Sequence, residues 1–133
     1  MNIKEICNMV KNLFIILNKT NDIKCYIPPH TKFYHSALGT VISEAAVIGD
    51  YCQISQNVTI GISGGQAPCI QHHVIIRCNS VIIGDIVVGH HSYIAAGSVV
   101  RHDVLPYSMV AGNPAQVVKI IRKEEYKEWR LKL

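Results

Sequence analysis

The 133-residue sequence predicts an all-β solenoid: a parallel β-helix of hexapeptide repeats with a short N-terminal helix and a C-terminal helix. Three observations predict it. Aliphatic residues recur every six positions at Ile42, Ile48, Ile54 and Ile60, then at Ile70, Ile76, Ile82, Val88, Ile94 and Val100. Four places after these anchors stand small or modest residues: Ala46, Cys52, Val58 and Gly64, then Val74, Ser80, Ile86, Ser92 and Ser98. The lattice breaks only twice, each time by an insertion. A fixed short period means stacked coils, each unit burying its apolar face against the next. In a β-sandwich, by contrast, strands vary in length and turn signals come roughly every 8–12 residues.

The elements divide the chain into 1–24, 25–112 and 113–133. In the first segment Ile3, Ile6, Val10, Leu13, Phe14 and Leu17 lie three or four apart with Lys4, Glu5, Lys11 and Asn12 between them, the pattern of an amphipathic helix. The polar stretch Asn18–Asp22 ends it. In the second segment three hexapeptides make one triangular coil, and successive coils stack about 4.8 Å apart. Phe33 to Ile42 is nine residues and Ile60 to Ile70 is ten, so His35–Thr40 and Gly61–Cys69 leave the prism as loops. The Gly-rich second loop is mobile unless a neighbour holds it. In the third segment Asn113 is placed to cap a helix with Pro114 in its first turn, so Ala115–Lys132 reads as a charged helix.

Charge and cysteine content exclude several classes. The net charge is +4, but the basic excess sits at the two ends, and residues 25–115 hold three basic and four acidic side chains. A nucleic-acid surface needs a basic stripe along the body, so none is expected. Five cysteines without a CxxC pair point to reduced thiols in a cytoplasmic protein rather than a disulfide framework or a zinc site. No apolar run approaches the roughly 18 residues of a membrane span.

Indexing the lattice stacks side chains into columns. Ile94, Ile76, Ile54 and Phe33 share a face, and two residues further on come Ala96, Cys78, Gln56 and His35 at one corner. That corner ends in Ala95-Ala96-Gly97, where an extended ligand can lie close to the backbone. A second column holds His72 above His90 and His73 above His91, each pair 18 residues apart. Adjacent corner residues diverge, so this column reads as a solvated polar edge, the alternative being a three-histidine zinc site. His30 and His102 read as surface or loop histidines.

These residues resemble a family. The segments FYHSALGTVISEAAVIGDYCQISQNVTIG and APCIQHHVIIRCNSVIIGDIVVGHHSYIAAGSVVRHDV, followed by AGNPA, are similar to hexapeptide-repeat acetyltransferases of the serine acetyltransferase type. They also resemble the related O-acetyltransferases that modify surface polysaccharides. The resemblance covers roughly residues 27–122. It implies a left-handed coil, a homotrimer with active sites between subunits, and acetyl-CoA lying along a corner as co-substrate, with no metal. His35 falls on the family's catalytic base. CoA contacts carry over to Gly61, Cys78, Ala96 and Ser98, with Arg101 and Lys119 toward a phosphate. Val41, Val81, Val87 and Val99 point outward and suit a subunit interface. The family's Asp before the catalytic His is Tyr34 here, so Asp22 or Glu44 is left to orient His35. Its Arg-His pair, which helps hold serine, is replaced by Gln66-Ala67. The reading from sequence is therefore acetyl-CoA-dependent O-acetyl transfer to a sugar hydroxyl in surface polysaccharide synthesis. Serine O-acetyl transfer in cysteine biosynthesis is the alternative, and a γ-carbonic-anhydrase-like zinc enzyme is a distant one.

Overall fold

The computed structural model describes residues 1–17 and 20–132, so Asn18 and Lys19 of the expected helix stop lie outside the described residues. Helix α1 (Ile3–Leu17) opens on a reciprocal cap. The Asn2 N–H donates to Glu5 Oε2 at 3.0 Å, and the Glu5 N–H donates to Asn2 Oδ1 at 2.9 Å. The prism follows. Its first coil holds β1 (Asp22–Ile23), the strandless side Ile27-Pro28, and β2 (Lys32–Phe33). The second holds β3 (Val41–Ile42), β4 (Val47–Ile48) and β5 (Gln53–Ile54). The third holds β6 (Thr59–Gly61), β7 (Cys69–Ile70) and β8 (Ile75–Ile76). The fourth holds β9 (Val81–Ile83), β10 (Val87–Val88) and β11 (Tyr93–Ile94). A last turn carries β12 (Val99–Val100), a bridge from Val104 to Val88, and β13 (Ser108–Gly112).

Three parallel sheets make the faces, in the orders β1-β3-β6-β9-β12, β4-β7-β10 and β2-β5-β8-β11-β13. Every anchor of the six-residue lattice points inward, from Ile54, Ile60, Ile70, Ile76, Ile82, Val88 and Ile94 at 0 % exposure to Ile48 at 5 %. In register, Ile54 sits between Phe33 and Ile76. Burying one such side chain contributes about 1.5–3 kcal/mol, and a column of them ties the coils into one core. The fourth-following residues are buried too, with one correction. Gly64 is the exposed tip of the second loop, and Pro68 takes the inward place before β7. That loop is held as a tight hairpin, with Ser63 and Gln66 exchanging backbone hydrogen bonds at 3.0 and 3.3 Å.

Two corners turn through left-handed backbone. One uses Asn57, Asn79 and Gly97 (φ 54, 59 and 70), the other Tyr51, His73, His91 and Tyr107 (φ 56 to 59). Asn tolerates this region better than most side chains, and the aromatic residues at the other corner stack on one another instead.

The C-terminal segment departs from expectation. Asn113 and Pro114 are not a helix start. They form the cis-linked turn of a hairpin whose second strand, β14 (Ala115–Ile120), runs antiparallel to β13. The helix, α2, begins only at Lys123 and runs Lys123–Lys132. Val117, Val118 and Ile120 favour extended backbone, and β13 offers them a free sheet edge.

Helix α1 is amphipathic as its spacing predicts, but its polar side faces the body. Asn12 is 5 % exposed and donates to the Thr31 carbonyl at 3.1 Å, and Asn8 donates to the Pro29 carbonyl. Ile15 and Ile16 alone of its apolar residues pack on the core, while Ile3, Val10, Leu13, Phe14 and Leu17 stay exposed.

Candidate active site

The first loop leaves the corner between β2 and β3 as three consecutive left-handed residues, His35, Ser36 and Ala37, with φ of 51, 54 and 54. A non-glycine residue held there costs roughly 1–2 kcal/mol, so something must over-determine the turn. Ala37 does, because it is fully buried in the core. The Ala37 N–H donates to the Tyr34 carbonyl at 3.1 Å and the Leu38 N–H to the His35 carbonyl at 3.1 Å. Gly39 closes the loop, its N–H donating to the Thr20 carbonyl at 2.8 Å. It has φ +67, and an added Cβ would lie 2.0 Å from Asn57 Oδ1. The loop is thus clamped from inside and from the coil below, and it presents the His35 imidazole to solvent. Runs of strained backbone of this kind concentrate at functional positions.

The expected corner column exists for Gln56, Cys78 and Ala96, but Leu38 rather than His35 takes its fourth place. The Gly97 N–H donates to the Cys78 carbonyl at 3.0 Å, and the Asn79 N–H donates to the Gln56 carbonyl at 3.3 Å. The Asn57 N–H bonds to the Leu38 carbonyl at 2.8 Å, so the loop caps the column and His35 bulges outward from it. Ala96 and Gly97 are exposed, and no atom lies within 4 Å of a Cβ built on Gly97. Cys78 is half-buried on the same edge.

Other expected residues fall less well. Ser98 is fully buried and donates its hydroxyl to the Ala95 carbonyl at 2.6 Å, so its side chain braces the corner from inside and does not face a ligand on the outer edge. Lys119 pairs with Glu125 and lies 5.6 Å over the Trp129 ring, holding β14 to α2. Arg101 is exposed beyond β12. Gly61 ends β6, where a Cβ would meet Ile83 at an ordinary 3.6 Å. Asp22 is exposed and pairs with Lys24 at 3.7 Å. Its strand adjoins the His35 loop, since the Asp22 N–H bonds to the Thr40 carbonyl at 2.9 Å. Glu44 is exposed in the turn after β3, one corner further along the coil.

The sequence reading missed the role of His30. Its ring lies between two carboxylates, with Nδ1 2.7 Å from Asp50 and Nε2 3.2 Å from Glu5. The Asp50 bond, against some desolvation, raises the imidazole above its ordinary value, and Glu5 adds to it. Glu5 is held low by the Asn2 backbone and then by His30. Partial burial pushes Asp50 up, but the bonds from His30 and the Tyr51 N–H outweigh it. No pattern of spacing signals such a cross-element bridge. All five cysteines are free thiols, and burial pushes Cys25 up to about 11 and Cys52 up to about 12.

A strained, outward-facing histidine thus stands above an open small-residue corner of a hexapeptide solenoid. Known proteins place it further. Serine acetyltransferase from Synechococcus elongatus is 38% identical over 90 residues, 65% of this chain and 37% of that protein. The Neisseria gonorrhoeae serine acetyltransferase structure in complex with serine superposes with a TM-score of 0.65 at 35% identity, covering 75% of this chain and 40% of that one. The Brucella abortus serine acetyltransferase in complex with Coenzyme A gives 0.64 at 35% identity, covering 71% and 41%. No protein-family model matches. The chain is a serine acetyltransferase-like hexapeptide-repeat protein, and it spans about two fifths of the length of these relatives.

Proposed function

We propose that this chain transfers the acetyl group of acetyl-CoA to the hydroxyl of serine, with His35 as general base. The observation that carries the proposal is the His35 loop: an imidazole held on strained backbone over the corner of Cys78, Ala96 and Gly97. Imidazole is the side chain best suited to proton transfer near neutral pH. In the reaction His35 accepts the hydroxyl proton as the oxygen attacks the thioester carbonyl. The tetrahedral oxyanion then collapses, the C–S bond breaks, and the CoA thiolate leaves and is reprotonated. Acetyl-CoA lies along the open corner, against the backbone of Ala96 and Gly97 and the side of Cys78, with Arg101 as the phosphate partner. Asp22, whose strand adjoins the loop, is the better placed of the two carboxylates to orient His35 once its side chain turns from Lys24.

The sugar-acceptor reading takes no support from the relatives named above, all serine acetyltransferases. It retains one observation, Gln66-Ala67 where the resemblance calls for Arg-His. The chain acts as a trimer, supported by the outward column Val47, Cys69 and Val87, in register down one face with Val47 58 % and Val87 41 % exposed. Thiol release from acetyl-CoA, measured with free serine and with a panel of sugars and nucleotide sugars, tests the acceptor. Stimulation by serine above every sugar supports the reading. Stimulation by a sugar with none by serine restores the polysaccharide reading and overturns this one.

A further inference from the structure

The second histidine column does not diverge as its sequence suggests. His72 and His73 turn their rings together, Nδ1 to Nδ1 at 2.8 Å, and His90 and His91 do the same one coil below at 3.0 Å. The pairs are stacked, with His72 over His90 at 5.1 Å and His73 over His91 at 4.6 Å between centroids. One available nitrogen from each of His72, His73 and His91 lies within 4.8 Å of the others, with His72 exposed and the other two half-buried. The left-handed corner fixes this arrangement, since His73 and His91 hold φ of 59 and 58. Tyr51 above and Tyr107 below extend the ring stack at 4.9 and 4.8 Å.

We propose that His72, His73 and His91 form a binding site for an imidazole-preferring divalent transition ion of the zinc–nickel class, clamping two adjacent coils. Metal–imidazole bonds are about 2.0–2.1 Å, so two nitrogens 2.8 Å apart subtend about 86° at an ion bound to both, a cis pair of a tetragonal or octahedral shell. His91 completes the set by tilting its ring toward the ion, a motion the broad χ2 preference of histidine allows. In the metal-free pair one Nδ1–H donates to the other Nδ1. On binding, both rings take the Nε2–H tautomer and both Nδ1 lone pairs go to the ion, with no net proton release. Hard ions with oxygen preference are excluded by the all-nitrogen set. Electrostatics oppose the ion from one side only. Lys123, Lys127 and Arg130 of α2 line a 260 Å³ cleft against His73 and His91, whereas His72 opens to solvent.

The test is calorimetric titration of full-length protein, stripped with chelator, with Zn²⁺ or Ni²⁺ alone. A Cys7→Ser background removes the exposed thiol, and ion content is measured after gel filtration. The result expected is one ion per chain at micromolar or tighter affinity, no response to Mg²⁺, and nitrogen-ligand Ni²⁺ absorption bands without a sulfur charge-transfer band. His72→Ala and His91→Ala each weaken binding at least tenfold, His102→Ala leaves it unchanged, and Arg130→Ala tightens it. Thermal melts add an independent readout: Zn²⁺ raises the melting temperature of the parent but not of the His72→Ala/His91→Ala double variant. Millimolar binding only, a sulfur charge-transfer band, or unchanged affinity in folded His72→Ala and His91→Ala proteins overturns the proposal.

Discussion

Gly39 carries more of the proposed site's geometry than its size suggests. It closes the His35 loop at φ +67 with the Asn57 amide filling the space a side chain would need. Gly39→Ala is therefore expected to cost about 1–2 kcal/mol from backbone strain alone, and more from the collision with Asn57. Activity should fall further than stability, because the displaced loop is the one that presents His35; chemical denaturation and steady-state rates on one preparation separate the two. Asp22→Asn is expected to lower kcat with little change in KM and to alter the pH profile, whereas Glu44→Gln, one corner away, leaves both unchanged. Equal kinetics for wild type and Asp22→Asn would remove Asp22 from the mechanism. At this scale the sequence was informative where spacing reports position. Gln56, Cys78 and Ala96 follow from counting by six, whereas His35 leaves their column and Leu38 takes its place. What a residue's side chain touches does not follow from counting. Ser98 turned inward, Lys119 went to Glu125, and His30 joined two carboxylates on separate elements.

Among the elements, α1 is docked by polar bonds rather than by an apolar stripe. Asn12→Ala removes a buried hydrogen bond to Thr31 and leaves that carbonyl unpaired, costing about 1–3 kcal/mol. The loss should show as faster amide exchange confined to α1, with the prism unchanged. The His30 bridge adds a pH dependence. His30 is raised, so its contribution is fully present below its ordinary 6.5 and is lost as pH rises through the folded value. Glu5 and Asp50 are lowered, so theirs is present above their ordinary 4.5 and 3.8 and is lost as pH falls through the folded values. Docking of α1 should thus be firmest between about pH 4.5 and 6.5 and loosen on the alkaline side; exchange of α1 amides, corrected for intrinsic rates, reads this directly. His30→Gln should abolish the alkaline loosening. The existence of α1 was plain from its three-and-four spacing, but its orientation was not. Periodicity gives the apolar face and does not say that Asn8 and Asn12 are the side that docks. The C-terminal hairpin was hidden for a related reason. Asn113-Pro114 carries the local signals of a helix start, and the sheet edge of β13, a tertiary feature, decided for a strand.

The whole molecule is a one-dimensional stack, so each coil is stabilised chiefly by its neighbours. Ile54, fully buried between Phe33 and Ile76, couples the first three coils. Ile54→Ala is expected to cost about 2–5 kcal/mol, and because it breaks a link in the stack, the coils carrying His35 should loosen together with it. Denaturant unfolding followed by far-UV dichroism and by His35-dependent activity should show the two losses coinciding. This level was the most legible in the sequence, since a period of six leaves one architecture able to bury every anchor. The acceptor was the least legible, because it rests on side chains in the loops, where the lattice gives no constraint.

The most direct test of the central claim is the serine-dependent release of CoA thiol from acetyl-CoA by wild type and by His35→Ala. General-base catalysis by His35 predicts that the variant keeps acetyl-CoA binding and loses the serine-dependent rate by about 10²–10⁴-fold. An undiminished rate in a folded His35→Ala protein would contradict the account and assign the chemistry to another group.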